Sequence, residues 1–163
     1  MENRIGKIFK TNENYFVEII SKNDTLYTIK FCDSNVILEG YTFQSIKNGR
    51  IKNKNHKSVC NIGYYGYGKY ESQDRLTKRS NLVYKTWNSM IQRCYNEKTQ
   101  KITYKGVTVC EEWHNFQNFA QWFYENFKPE IMKDWHLDKD ILVKGNKIYS
   151  PETCCFVPKR INQ

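Results

Sequence analysis

The first 46 residues alternate between short runs of strand-forming residues and polar turn signals. The turns fall at Asn23-Asp24, Asp33-Ser34 and Gly40, and the runs between them are rich in β-branched and aromatic side chains. Several short strands at such close spacing are typical of small antiparallel sheets and barrels. We therefore predict a small antiparallel, β-barrel-like domain over residues 1–46.

The apolar positions take on a helical spacing after residue 80. Five of them lie on one face of a helix that Ser80 or Asn81 caps, namely Val83, Trp87, Met90, Ile91 and Cys94. A second helix is expected from about Asn115 to Phe127, and Pro129 ends it.

The last 30 residues predict a ββα arrangement. Trp135, Leu137 and Ile141 point to one side of a strand, and His136, Asp138 and Asp140 share its other face. A hairpin turn at residues 144–147 leads to a return strand that begins at Ile148, a further strand covers 154–157, and Pro158 suits the start of a terminal helix. The predicted fold class is α+β, with a basic linker or arm over 47–80 and a helical and ββα domain over 81–163.

The positive charge is concentrated in the middle of the chain. The formal net charge is +9, from 26 Lys and Arg against 17 Asp and Glu, and residues 47–80 alone hold nine basic and two acidic residues. Phosphate backbones attract such a segment through counterion release, although a solvated linker is the alternative. The candidate cationic contacts are Arg50, Lys52, Lys54, Lys57, Lys69, Arg75, Lys78 and Arg79.

Tyrosines and glycines alternate within this segment between residues 61 and 70. Tyr64, Tyr65 and Tyr67 could stack on bases while neighbouring lysines hold phosphates. A glycine-rich arm can also lie in a groove of a duplex. The alternative is a linker whose tyrosines dock on a neighbouring domain.

Three separated blocks of the C-terminal half resemble the HNH-type homing endonucleases of bacteriophages. The first is W-x-x-M-x-x-R-C-Y at residues 87–95, and the second is V-C-x-x-W at 109–113, followed by F-x-x-F at 116–119. The third combines L-D-x-D at 137–140, G-N at 145–146 and Y-S-P-E-T-C at 149–154. The resemblance spans about residues 84–162.

This resemblance implies a metal finger that enters DNA and hydrolyses phosphodiesters, with a strand histidine activating water. The catalytic candidates are His136, Asp138 and Asp140, and the metal candidates are Asp138, Asp140 and Asn162, which could hold Mg²⁺ or Mn²⁺. The family pattern is incomplete, because Thr153 replaces its asparagine and Asn162 stands where a helix histidine is expected. A polar, solvent-facing edge without cofactor is therefore the alternative.

Three functions follow from these patterns. The first is a phage or mobile-element protein that binds nucleic acid, DNA in preference to RNA, on an HNH-like frame with a degenerate catalytic set. The second is an active metal-dependent endonuclease, so enzymatic activity is left open. The third is an anti-defence inhibitor that binds a host nuclease or nucleoprotein complex.

The apolar runs and the cysteines of the sequence indicate where in the cell the protein is located. No apolar run approaches the length of a membrane span, and no secretory signal is expected, so we predict a cytoplasmic protein of the host cell without a membrane partner. The six cysteines lack a Cys-x-x-Cys spacing, which favours buried thiols. Metal binding by Cys94, Cys110 and Cys154 is the alternative.

Overall fold

The computed structural model describes residues 3–161, and the chain divides into two compact units after Asn53. The boundary falls inside the segment 47–80 that the sequence sets apart as a linker or arm. Residues 47–53 belong to the first unit, and residues 54–80 belong to the second. The fold is α+β.

An antiparallel sheet in the order β1-β2-β3-β4 forms the first unit. Its strands are β1 (Ile8–Lys10), β2 (Phe16–Asn23), β3 (Leu26–Phe31) and β4 (Ile37–Thr42). Alternate residues of β2 and β3 point inward, so Val17, Ile19, Ile29 and Phe31 are fully buried. The antiparallel sheet predicted for this region is confirmed.

The sheet does not close into a barrel, and this part of the prediction is wrong. In the described residues β1 pairs only with β2 and β4 only with β3, so both remain edge strands. With only three residues, β1 offers few backbone groups for a closing ladder. A short helix, α1 (Phe43–Lys47), packs near the edges instead, with the Phe43 ring 5.7 Å from that of Phe9 and Ile46 fully buried.

Two helices supply most of the core of the second unit. They are α2 (Leu82–Tyr95), capped by the Asn81 side chain, and α3 (Phe116–Asn126), capped by that of Asn115. The Trp87 indole N–H donates to the carbonyl of Trp113 over 2.7 Å, so the polar group of the buried Trp87 side chain is satisfied. Within residues 3–161 neither these helices nor any other is long and apolar enough to cross a bilayer.

Two small strand pairs complete the second unit. β5 (Thr108–Val109) runs parallel to β7 (Ile148–Tyr149), and β6 (Trp135–Asp138) runs antiparallel to β8 (Cys155–Pro158). The predicted hairpin of β6 with the strand at Ile148 is therefore wrong, because β7 pairs with β5. Pro158 ends β8 opposite Trp135, where its missing N–H is tolerated, and residues 159–161 form a turn, not the start of a helix.

The glycine-rich stretch packs against the start of α3. The Tyr64 amide donates to the carbonyl of His114, and the Phe116 amide donates to that of Tyr64, both over 2.9 Å. A Cβ at Gly66 would collide with the Asn115 side chain, and one at Gly68 would collide with that of Gln117. The glycines therefore permit close packing here, as in the alternative of a linker that docks on a neighbouring part of the fold.

Candidate nucleic-acid interface

The predicted cations are distributed over both units and all are exposed. In the first unit these are Arg50 and Lys52, and Lys52 forms a 3.1 Å ion pair with Glu13. The second unit carries the remaining six, Lys54, Lys57, Lys69, Arg75, Lys78 and Arg79. Each of these side chains can reach solvent, and hence a polyanion.

The tyrosines differ in their availability. The Tyr65 ring stacks on Phe116 at 5.2 Å, and its hydroxyl donates to the carbonyl of Tyr70 over 2.8 Å. Tyr64 is half-buried, whereas 45% of Tyr67 is exposed. Tyr65 is therefore docked against α3, whereas the ring of Tyr67 is more open to solvent.

A rigid basic turn, residues 73–80, leads directly into α2. Gln73 and Ser80 form an antiparallel bridge at its base, and the Asp74 amide donates to the carbonyl of Arg79 over 2.9 Å. The Asp74 carboxylate accepts the amides of Leu76 and Thr77 and the Thr77 hydroxyl, and these bonds, led by the Thr77 amide, hold its pKa below the usual range. Arg75, Lys78 and Arg79 project from this fixed loop.

The predicted catalytic strand residues do not form a metal cluster. His136 is exposed on β6, and an Asp138 oxygen accepts the amides of Asp140 and Ile141 at 2.8 and 2.7 Å. Over residues 3–161, no group of three or more His, Cys, Asp or Glu side chains is placed to hold a metal ion. The third predicted metal ligand, Asn162, lies outside the described residues.

Lys139 occupies the carboxylate of Asp140. Its ammonium, in a residue only 8% exposed, contacts both Asp140 oxygens at 2.7 Å and the Asn146 carbonyl at 2.9 Å. The Asn146 amide in turn donates to the carbonyls of Lys139 and Ile148. The Lys139 ammonium therefore already occupies both Asp140 oxygens, which a metal ion would need.

A polar groove lies beside His136. Its volume is about 410 Å³, and three elements supply its lining, α2, the loop after it and β6. The lining residues are Ser89, Gln92, Arg93, Thr99, Lys101, Tyr104 and His136. Two permanent cations and an imidazole therefore line a groove whose wall contains no carboxylate. We call it the Arg93 groove.

Helix geometry extends the Arg93 groove along α2. Lys85, Ser89 and Arg93 follow one another at intervals of four residues, so they share one face. Lys85, Arg93 and His136 also line an adjoining depression of about 230 Å³ that has an apolar floor. The two hollows thus meet at Arg93 and His136.

Aromatic rings position Arg93. Its guanidinium carbon lies 5.9 Å from the centre of the Tyr104 ring. Tyr149 lies nearby, and its pKa is raised because it is buried, although the Arg93 guanidinium acts to lower it. A guanidinium fixed in this way loses little conformational freedom when it binds an anion.

Comparison with family models, curated proteins and solved structures finds no match.

Two of the three cysteines considered as metal ligands, Cys94 and Cys154, are buried thiols. Burial raises the pKa of Cys94 to about 11 and that of Cys154 to about 12, and it also raises the pKa of Cys110. In the described part of the chain these cysteines do not join a group of three or more side chains that could hold a metal ion. No metal function is assigned to them.

Sequence reasoning missed Lys85, Arg93 and Lys101. The charge density around them is ordinary, since the 14 residues of α2 contain only two cations, Lys85 and Arg93. The i, i+4 spacing of Lys85, Ser89 and Arg93 outside the buried face of α2 was the available signal.

Proposed function

We propose that the second unit binds nucleic acid through the Arg93 groove. The observation that carries the proposal is a groove lined by Arg93, Lys101 and His136 with no carboxylate in its wall. A guanidinium in such a setting recognises phosphate oxygens through paired N–H donors. A nucleic acid supplies these oxygens at a regular spacing.

The length of the cationic face supports a polymeric ligand. Lys85 and Arg93 are eight residues apart, which on an α-helix is about 12 Å. That distance corresponds to roughly three or four nucleotides of one strand at 3.4 Å each. A single small anion would leave one end of this face unused.

The charge of the whole unit favours the same ligand. Residues 54–163 hold 18 basic and 11 acidic residues, a net charge of +7. The exposed cations of residues 54–79 add a broad attractive field to the specific contacts of the groove. Binding is therefore expected to be strong at low salt and to weaken steeply as salt is added.

The test is the salt dependence of duplex DNA and single-stranded DNA binding by fluorescence anisotropy. Wild type is compared with a triple variant, Lys85→Gln, Arg93→Gln and Lys101→Gln. The matched control replaces Lys128, Lys133 and Lys144 by glutamine, because these exposed lysines line neither hollow. Both variants lose three positive charges.

We expect the groove variant to bind at least tenfold more weakly and its slope of log K against log salt to fall by about 0.9 for each lost duplex contact. The control should stay close to wild type. Because Arg93 also touches Tyr104 and Tyr149, thermal unfolding is recorded, and a Lys85/Lys101 double variant provides a milder change. Equal losses in the groove variant and the control would reject the groove as the binding site.

Hydrolysis is a second proposal, favoured by one observation. His136 lines the same hollow as Arg93, so an imidazole would face a phosphate held there. Asp138 and Asp140 do not fit a divalent ion as they stand, since Lys139 holds both Asp140 oxygens and backbone amides hold one oxygen of Asp138. No metal-dependent step is therefore derived.

The nuclease proposal is tested by nicking of supercoiled DNA, both without and with added Mg²⁺ or Mn²⁺. His136→Ala should abolish nicking if the imidazole takes part in the reaction. The same variant should retain most of its DNA affinity, since Arg93 and Lys101 remain. Equal nicking by wild type and variant would exclude His136.

A further inference from the structure

The tip of the basic turn carries a leucine that has almost no protein contact. Leu76 is 93% exposed, more than any other large apolar residue in the described part of the chain. Isolated exposed leucines are common on protein surfaces, so exposure alone assigns no role. What distinguishes this one is the loop that holds it.

The loop fixes the leucine in place before any partner arrives. The Leu76 amide is bound to the Asp74 carboxylate at 3.1 Å, and the Lys78 amide donates to the Asp74 carbonyl at 3.0 Å. Below the turn, the Asn81 amide donates to the carbonyl of Ser72, and its side chain donates to that of Glu71. Because Asn81 also caps α2, the turn is tied to the helix that carries the Arg93 groove.

Cations flank the leucine along the chain. Arg75 precedes it, and Lys78 and Arg79 follow, all with exposed side chains. One carboxylate competes for them, since Glu71 forms a 2.7 Å ion pair with Arg75, but 81% and 52% of these two side chains are exposed. An ion pair so open to solvent is weak, and a phosphate can replace the glutamate.

We propose that the basic turn is a DNA wedge, in which Leu76 inserts between base pairs from the minor groove while Arg75, Lys78 and Arg79 hold the flanking phosphates. Apolar side chains on minor-groove proteins unstack and kink duplex DNA in this way. Insertion buries a side chain that otherwise faces water, and the rigid turn loses little entropy on binding. The proposal rests on the nucleic-acid binding proposed above and gives it a substrate form, duplex DNA that can be unstacked.

The test uses the full chain and needs no target sequence. Two labelled duplexes of identical sequence are compared, one fully paired and one with a central mismatch, because a mismatch lowers the cost of unstacking. Affinities are measured by anisotropy, and the end-to-end distance of the bound duplex is measured by fluorescence energy transfer. The proteins are wild type, Leu76→Ala, Leu76→Met and the control Ile131→Ala, whose isoleucine is exposed in another loop.

We expect wild type to prefer the mismatched duplex by at least about threefold and to shorten the end-to-end distance. Leu76→Ala should lose both the preference and the bend while keeping the salt dependence of binding. Leu76→Met should retain most of each effect because it is still an apolar wedge, and Ile131→Ala should match wild type.

The outcomes separate the two proposals. Binding with the expected salt dependence, but with equal bending by wild type and Leu76→Ala, overturns the wedge and leaves the groove intact. No binding of either duplex at low salt overturns the wedge, and if single-stranded DNA is not bound either, the groove is overturned as well. A loss that Ile131→Ala shares with Leu76→Ala also overturns the wedge, since exposed apolar area would then explain the effect.

Discussion

The side chain of Gln117 binds both backbone polar groups of Tyr70. Its amide oxygen accepts the Tyr70 N–H and its amide nitrogen donates to the Tyr70 carbonyl, each over 3.0 Å. The two residues are 47 positions apart, so one buried amide attaches the segment before α2 to the first turn of α3. The stacked rings of Tyr70 and Tyr124, 5.4 Å apart, reinforce this attachment.

Replacing Gln117 by alanine should destabilise the second unit. The change leaves the Tyr70 N–H without its acceptor, while the Tyr70 carbonyl keeps the Tyr65 hydroxyl, and we expect a loss of about 1–3 kcal/mol. Chemical denaturation followed by tryptophan fluorescence measures the loss. The control Gln121→Ala removes an exposed glutamine of the same helix and should change stability by no more than about 0.5 kcal/mol. Similar losses in both variants would contradict the assigned role of Gln117.

Alanine at Gly66 should cost more stability than alanine at Gly145. Both glycines have positive φ, +72° and +77°, so both substitutions strain the backbone. Only Gly66 also faces a neighbour, the Asn115 side chain, whereas the space beside Gly145 is open. We expect a difference of about 1–3 kcal/mol between the two variants in the free energy of unfolding. Equal costs would show that backbone strain, and not the collision with Asn115, explains the loss of stability at Gly66.

Removing the Asp140 carboxylate should destabilise the loop between β6 and β7. Asp140→Ala leaves the buried Lys139 ammonium with the Asn146 carbonyl as its remaining described acceptor, and we expect a loss of about 1–3 kcal/mol. A Lys139→Met, Asp140→Ala double variant removes the charge as well and should recover part of this loss. Denaturation curves for both variants measure these losses. If Asp140→Ala were as stable as wild type, the Lys139–Asp140 ion pair would not stabilise the loop. The same curves serve as a control for nuclease assays, because they show whether a variant that loses activity has also lost its folded structure.

The second unit should lose stability in alkaline solution. Burial raises the pKa of Cys94 to about 11 and that of Cys154 to about 12, from an ordinary value of 9.0. The unfolded chain therefore releases these protons first, so the stabilisation is complete below pH 9 and declines between pH 9 and 11–12. Urea denaturation under reducing conditions, from pH 7 to 10.5, measures the decline.

A Cys94→Ala, Cys154→Ala variant should show a shallower decline than wild type. Some slope should remain, because burial also raises the pKa of Tyr84 and Tyr149. A variant with the same slope as wild type would show that the two thiols contribute nothing to the alkaline sensitivity.

The helices of the second unit could be predicted because their signals are local. The spacing of Val83, Trp87 and Cys94 defines a buried face, and the Asn81 side chain caps the helix as expected. The strand pairings could not be predicted in the same way. A two-residue strand such as Ile148–Tyr149 carries no periodicity, and its partner, Thr108–Val109, lies about 40 positions away.

The candidate site was only partly accessible from the sequence. The density of lysine and arginine directs attention to residues 47–80, and their exposed side chains are consistent with that emphasis. Arg93 becomes significant only when β6 and the loop at Lys101 are folded beside α2, which is tertiary information. The HNH resemblance stays a prediction.

The pairing of β5 with β7 and of β6 with β8 sets the order in which the protein can mature on the ribosome. Every strand partner of the first unit has been synthesised by Thr42, so that unit can fold early. In the second unit, Thr108–Val109 and Trp135–Asp138 wait for partners that follow residue 147. A nascent chain stalled before that point would display α2 and α3 with their aromatic faces incompletely covered, so chaperones have their longest opportunity to engage this half of the molecule.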